Sequence, residues 1–174
     1  MGNLVDRMVR AAKLDVSLYE EVEKDQTAMP QAMSVVAIAS VAAGVGSLGV
    51  AGFSGLIVGL IASLVGWFVW AFLTYFIGTK LLPEPQTKAD LGELLRTIGF
   101  SSSPGVIRVL GFIPFLGGII LFAASIWMLV AMVIAVRQAL DYQSTWRAVG
   151  VCLIGWIVQM LLFGLLFSIV GGSA

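Results

Sequence analysis

Ile98-Gly-Phe-Ser-Ser-Ser-Pro104-Gly-Val-Ile-Arg108-Val-Leu-Gly111-Phe-Ile-Pro114-Phe-Leu-Gly-Gly118 opens a run that continues to Val136 with Arg108 as its one charge. As a single helix this run would reach about 58 Å at ~1.5 Å per residue. The hydrocarbon core of a bilayer is only about 30 Å thick. The chain must therefore fold back, and Phe112 to Gly118, with Pro114 and two glycines, is the corner. The fold-back gives a short element at about 98–113 and a full span at about 115–136. The first, near 24 Å if helical, is barely long enough to cross, so tilted, thinned or re-entrant placements all stay open.

Composition agrees with a chain built for lipid. Hydrophobic residues make up 59% and charged residues 11%, less than half of the roughly 25% charge of soluble domains. Formal net charge is zero, so no global field draws the protein to nucleic acid. Histidine is absent, which removes the commonest general base and metal ligand. The single cysteine, Cys152, lies inside an apolar run and permits no intramolecular disulfide. No phosphate loop or nucleophile elbow is present, so no cofactor and no enzymatic activity are expected.

Working outward gives three further spans, at about 30–51, 53–78 and 148–171, and an N-terminal segment, 1–29, ahead of the membrane domain, 30–174. Pro30 opens the first span, where its missing N–H is harmless. Gly55, Gly59 and Ser63 in the second span, and Gly164 and Ser168 in the last, recur as small residues that let helices approach closely. Packing within the protein is the default reading, with homo-oligomerisation the alternative. Asp90-Leu-Gly-Glu93 begins a short helix with a capping box. Its apolar side, Leu91, Leu94, Leu95 and Ile98, suits the membrane surface.

Within 1–29, Leu4, Val5, Met8, Val9 and Ala12 alternate at helical spacing with Asp6, Arg7, Arg10 and Lys13. That pattern predicts an amphipathic helix with apolar residues in lipid and basic ones toward lipid phosphates. Ser17 and Glu20 form a second capping-box pattern. Glu20, Glu21, Glu23 and Asp25 read as a solvated face, or as a docking patch for a basic partner.

Charge sets the orientation. With the N-terminus inside, Arg7, Arg10, Lys13, Lys24, Lys80, Lys88, Arg96, Arg137 and Arg147 all fall on the cytoplasmic side, as the positive-inside rule demands. Arg108 alone departs from it. The expectation is five membrane elements, N-terminus inside and C-terminus outside. An intramembrane arginine costs roughly 2.5–3.5 kcal/mol on insertion scales and marks a functional site by default. At α-helical spacing Ser101, Pro104 and Gly111 share its face. Snorkelling to the near surface is one reading; a ligand, lipid or transport role is the other.

Ile98-Gly-Phe-Ser-Ser-Ser-Pro104, followed by Gly-Phe-Ile-Pro114, resembles the Gly-Tyr/Phe-Ser-x-x-Pro pattern of the Yip domain family, the Ypt/Rab-interacting five-span membrane proteins. The entry Leu-Asp-Val-Ser-Leu-Tyr-Glu-Glu-Val-Glu-Lys-Asp is similar to the N-termini of short prokaryotic relatives. The Asp-Leu-Tyr-Gly-Pro motif of eukaryotic members is absent. The resemblance implies five membrane elements, a prokaryotic plasma membrane, and Gly99, Phe100, Ser101 and Pro104 as a packing or binding hallmark. It implies a role, for eukaryotic members, with Rab-type GTPases and vesicle traffic.

Taken together, these features point to an all-α integral membrane protein that acts as a non-enzymatic scaffold. It would bind the bilayer and a membrane or cytoplasmic protein. The alternative is a small transporter or channel, oligomeric or not, using the broken third element and Arg108.

Overall fold

The computed structural model describes residues 2–46 and 48–171. All of the regular structure among them is helical. In chain order come α1 (Leu4–Ala12), α2 (Val16–Lys24), a 3-10 turn (Gln26–Ala28), α3 (Met29–Gly46) and α4 (Leu48–Phe76), which ends in a π-helical turn (Ile77–Leu81). After a loop come α5 (Leu91–Ser101), a 3-10 stretch (Ser103–Phe112), α6 (Gly117–Ala139) and α7 (Thr145–Gly171). Among the described residues, four segments are long and apolar enough to cross a membrane: Gln26–Gly46, Ile57–Leu81, Gly117–Ala139 and Thr145–Leu162. The protein is thus an all-α membrane protein with four regular spans. The α4 helix starts ahead of the expected position 53, and the predicted corner at 112–118 separates the 3-10 stretch from α6.

The remaining membrane element, the third in the chain, is the irregular one. The α5 helix was expected along the membrane surface; instead Leu94 through Ser101 are all buried. Its apolar side faces protein rather than lipid, and Trp67 of α4 donates its indole N–H to the Leu95 carbonyl at 3.1 Å. The capping box forms as predicted, with Asp90 and Glu93 each accepting from the other's backbone N–H. The α5 helix and the 3-10 stretch together extend roughly 36 Å at ~1.5 and ~2.0 Å per residue.

Proline causes the change of winding. Pro104 lacks the N–H that would bond the Phe100 carbonyl, and the Ser103 hydroxyl donates to that carbonyl instead, at 2.7 Å. Backbone bonds around it shorten to three-residue closures, Ser102 N–H to Gly99 O and Gly105 N–H to Ser102 O.

The 3-10 stretch lies in the groove between α3 and α6. Three glycines make that close approach possible. A Cβ at Gly99 would sit 2.8 Å from the Ala32 Cβ, and one at Gly105 3.3 Å from the Ala39 Cβ. One at Gly111 would sit 3.3 Å from the Gly46 carbonyl. Partners on α3 thus recur every seven residues while those on the third element recur every six. Two α turns rise about 10.8 Å and two 3-10 turns about 12 Å, so the seams stay in register. The third element therefore runs beside α3 along its whole length.

The N-terminal helices cap one end of the bundle. Ala11, Leu18, Tyr19 and Val22 share a buried cluster with Ala28, Ala32, Val35, Phe100 and Ala135. Residues 1–29 are thus packed onto the membrane domain. Asp15, rather than Ser17, caps α2: its carboxylate accepts from the Ser17 N–H. At the other end of α2, Arg96 donates to the Val22 carbonyl at 2.9 Å and to the Glu23 carbonyl. Orphaned C-terminal carbonyls are met there by a cation, the arrangement a helix end favours.

The basic face of α1 also departs from expectation. Arg7 is only 4% exposed. It donates to Glu21 at 2.9 Å, Asp25 at 2.7 Å and Gln31 at 3.0 Å. Arg10 pairs with Asp15 and Glu21. These guanidiniums turn into the protein instead of toward lipid phosphates because four carboxylate-bearing or amide partners stand within reach. Val5 and Val9 are left on the outside of α1, where the apolar surface of a membrane protein belongs.

Candidate functional site

The third element positions Arg108. Three residues per 3-10 turn put Ser102, Gly105, Arg108 and Gly111 on one line. Ser102, not Ser101, consequently shares the cavity with Arg108. Ser101 is buried, its hydroxyl donating to the Ile98 carbonyl at 2.7 Å. Phe100 and Pro104 are likewise buried, Phe100 inside the cluster under the N-terminal cap. Gly99 and Gly111 belong to the α3 seam. Pro114 is exposed at the corner, next to Phe115, which is fully exposed at φ 64°. Of the motif residues, then, Gly99, Phe100, Ser101 and Pro104 build the packing that presents Arg108.

The guanidinium is half-buried, Nη2 lying 3.5 Å from the hydroxyl of Ser125, an exposed residue of α6. Ser125 stands eight residues into α6, about 12 Å from its start. The guanidinium therefore sits at that level of α6. Among the described residues no carboxylate pairs with it, and no Asp or Glu occurs in α3, α4, the 3-10 stretch, α6 or α7.

Arg108 borders an open-sided cavity of about 1010 Å³ lined by α3, α4, α6, α7 and the third element. Its walls are mostly apolar, with Trp67, Trp70, Met128, Met132, Cys152 and Trp156 prominent. The polar atoms there are largely engaged. Ser40, Ser63 and Ser125 each donate the hydroxyl proton to the carbonyl four residues back. Trp70 keeps a buried indole N–H with no partner among the described residues. Gln159 lines the same space.

The small-residue ladders share only Ser63 with the cavity. A Cβ added at Gly59 or Gly164 would meet nothing within 4 Å, so these positions do not seat another helix of the same chain. Ser63 faces the cavity, and Ser168 is exposed with its hydroxyl on the Leu165 carbonyl. The surroundings of Gly55 lie outside the described residues.

At the capped end, a second cavity of about 380 Å³ is lined by Glu20, Glu23, Lys24, Arg137, Gln138, Asp141, Tyr142 and Gln143. Burial, then the neighbouring Asp141 and Glu93, push the Glu23 carboxyl up to about 7. Asp25 moves the other way, to about 2, held by the Thr27 hydroxyl and by Arg7. Of the four acidic residues read as one face, Glu21 and Asp25 are taken by arginines and Glu20 accepts from Gln138 at 3.1 Å.

A model of the Yip1 domain matches residues 19–167, from within α2 almost to the end of α7. The chain belongs to the Yip1 domain family. The matched region takes in the second N-terminal helix, in keeping with the buried cluster that joins α2 to the bundle of this Yip1 domain. Comparison with curated proteins and with solved structures finds no match.

Sequence reasoning missed three features of the Yip1 domain bundle. It did not find the α3 half of the seam, although Ala32, Ala39 and Gly46 stand seven residues apart in the sequence. It gave Arg7 to lipid. It also missed the tie between Trp127 of α6 and the Ala12 carbonyl, 2.8 Å apart, which holds the end of α1 against the flank of the bundle. No local pattern signals that contact.

Proposed function

We propose that this Yip1-domain protein is a non-enzymatic membrane scaffold that holds a partner's transmembrane helix, a second copy included, against α4 and α7. The observation that carries the proposal is the open space at Gly59 and Gly164. In lipid, helices associate through close backbone approach at small residues rather than through apolar burial. A bare small-residue face of this kind is suited to a further helix. Absence of histidine and engagement of the cavity serines with backbone carbonyls leave no evident general base, which supports the non-enzymatic reading. The nine basic residues other than Arg108 lie on or directly after α1, and on α2, the 77–90 stretch, α5 and the facing ends of α6 and α7. By the positive-inside rule this end faces the cytoplasm, with the C-terminus outside. Transport has less support, because the spanning elements offer no acidic group to relay a proton or cation.

The test is photocrosslinking in native membranes with a photoreactive side chain at position 59, and at lipid-facing Leu129 as control. A discrete protein adduct at 59 that is absent at 129, and is abolished by Gly164→Leu or outcompeted by untagged protein, is the expected result. Lipid adducts alone at both positions would overturn the proposal.

A further inference from the structure

We infer that the Arg108 cavity is a binding site for an anionic phospholipid taken from the surrounding bilayer, one acyl chain lying in the cavity and the phosphate meeting the guanidinium. The inference is independent of the helix-binding reading, which rests on Gly59 and Gly164, neither of them in the cavity wall.

Three observations fix the chemistry. First, Arg108 brings a permanent positive charge and five N–H donors, yet among the described residues its side chain meets one hydroxyl, at 3.5 Å. That hydroxyl already donates its proton to Leu121. Among the described residues no carboxylate pairs with Arg108, and a bound anion would supply the compensating negative charge. Guanidinium and phosphate match in charge and in fork geometry.

Second, the cavity is too large and too apolar for a free anion. At about 1010 Å³ it stands at the top of the roughly 300–1,000 Å³ range of ligand pockets. Its walls are mostly apolar, with Val36, Met132, Val133 and the Trp67 and Trp70 rings among them, interrupted by Ser40, Ser63, Thr145 and Gln159. An acyl chain fills such a space; water would leave it dry of partners.

Third, the opening faces lipid. Leu129, Leu153 and Trp156 line the cavity and are 54%, 56% and 58% exposed. They stand well inside α6 and α7, not at their ends. A molecule entering past them comes sideways from the hydrocarbon. Gly66, with open space where a Cβ would be, keeps the α4 wall clear.

The experiment reconstitutes the full chain in phosphatidylcholine vesicles doped with photoactivatable phosphatidylglycerol, or with photoactivatable phosphatidylcholine, and maps the adducts by mass spectrometry. Cavity residues such as Met132 and Cys152 are expected to take the phosphatidylglycerol probe about fivefold more than the phosphatidylcholine probe, the scale of one lipid charge at one arginine. Arg108→Gln should bring the two probes to parity, and Arg108→Lys should keep much of the preference. Gly66→Leu, which projects into open space and leaves the arginine untouched, should lose cavity adducts of both probes while the thermal midpoint holds. Equal labelling by both probes in the unaltered chain would overturn the proposal. So would a preference that survives Arg108→Gln, cavity labelling that survives Gly66→Leu, or complete displacement of the lipid probe by millimolar inorganic phosphate, the mark of a free-anion site.

Discussion

Replacing Gly99 with alanine tests the seam on which the third element rests. The new Cβ would lie 2.8 Å from the Ala32 Cβ and 3.2 Å from the Ala32 carbonyl oxygen. Carbon atoms rest at about 3.5–4.0 Å, so α3 and α5 must part by about 1 Å at their crossing. Such overpacking costs about 1–3 kcal/mol. Alanine's better helix propensity returns up to about 1 kcal/mol. The net expectation is a loss of about 1–2 kcal/mol, or several degrees at ~2–4 °C per kcal/mol for a chain of this length. Gly59→Ala supplies the control: it meets nothing within 4 Å and should be neutral or slightly stabilising. Ala32→Gly should partly rescue Gly99→Ala, because it removes the carbon that is struck. Thermal unfolding in detergent, followed by tryptophan fluorescence, measures all four variants. A Gly99→Ala midpoint equal to that of Gly59→Ala, or additive effects of Gly99→Ala and Ala32→Gly to within about 0.5 kcal/mol, would refute the seam.

Two further outcomes follow from the N-terminal cap. Arg7→Ala removes a buried guanidinium with three side-chain partners, two of them the partly exposed carboxylates of Glu21 and Asp25. Loss of a buried charge partner costs about 3–5 kcal/mol, and re-solvation of the exposed carboxylates reduces this to about 2 kcal/mol. The α1 helix should become sensitive to limited proteolysis, with Arg7→Lys intermediate; unchanged cleavage kinetics would count against the network. Glu23 provides the pH dependence. Its carboxyl is raised to about 7 by burial and by Asp141, Glu93 and Glu20, with Lys24 opposing. The folded state therefore holds a proton that the unfolded chain releases near 4.5, and stability falls as pH rises from about 4.5 to about 7. Glu23→Gln should flatten the dependence of the thermal midpoint on pH across that window, and parallel slopes in the two proteins would exclude Glu23 as its source.

Much of this fold could be read from residue order alone because lipid imposes few choices. Apolar lengths gave the four regular spans, and the excess length of 98–136 required the corner near Pro114. The Asp90–Glu93 box marked a helix start correctly because its two hydrogen bonds are local. The third element was harder. Apolar residues surround Arg108 at no diagnostic period, so the shift from 3.6 to 3.0 residues per turn after Pro104 leaves little trace. One consequence is that Ser102 replaced Ser101 beside the arginine. Gly99 and Gly105 could be noticed, but Ala32 and Ala39 are inconspicuous in a helix already rich in alanine. Arg7 misled for another reason. Its place on a helical wheel is polar, and whether polar means lipid phosphate or a buried carboxylate depends on Glu21 and Asp25, fourteen and eighteen residues later. The cavity depends on how five elements splay, which no single segment encodes.

The arginine that closes α2 also sets an order of events during synthesis. Arg96 follows Val22 by 74 residues and Trp127 follows Ala12 by 115. At about 5–20 residues per second, α1 and α2 leave the ribosome roughly 4–15 s before Arg96 exists. The α3–α4 hairpin is made during that interval. The N-terminal helices have each other and the start of α3 to pack on from early in synthesis, while their ties to Arg96 and Trp127 wait for α5 and α6. The first segments made thus complete their packing only once α6 exists.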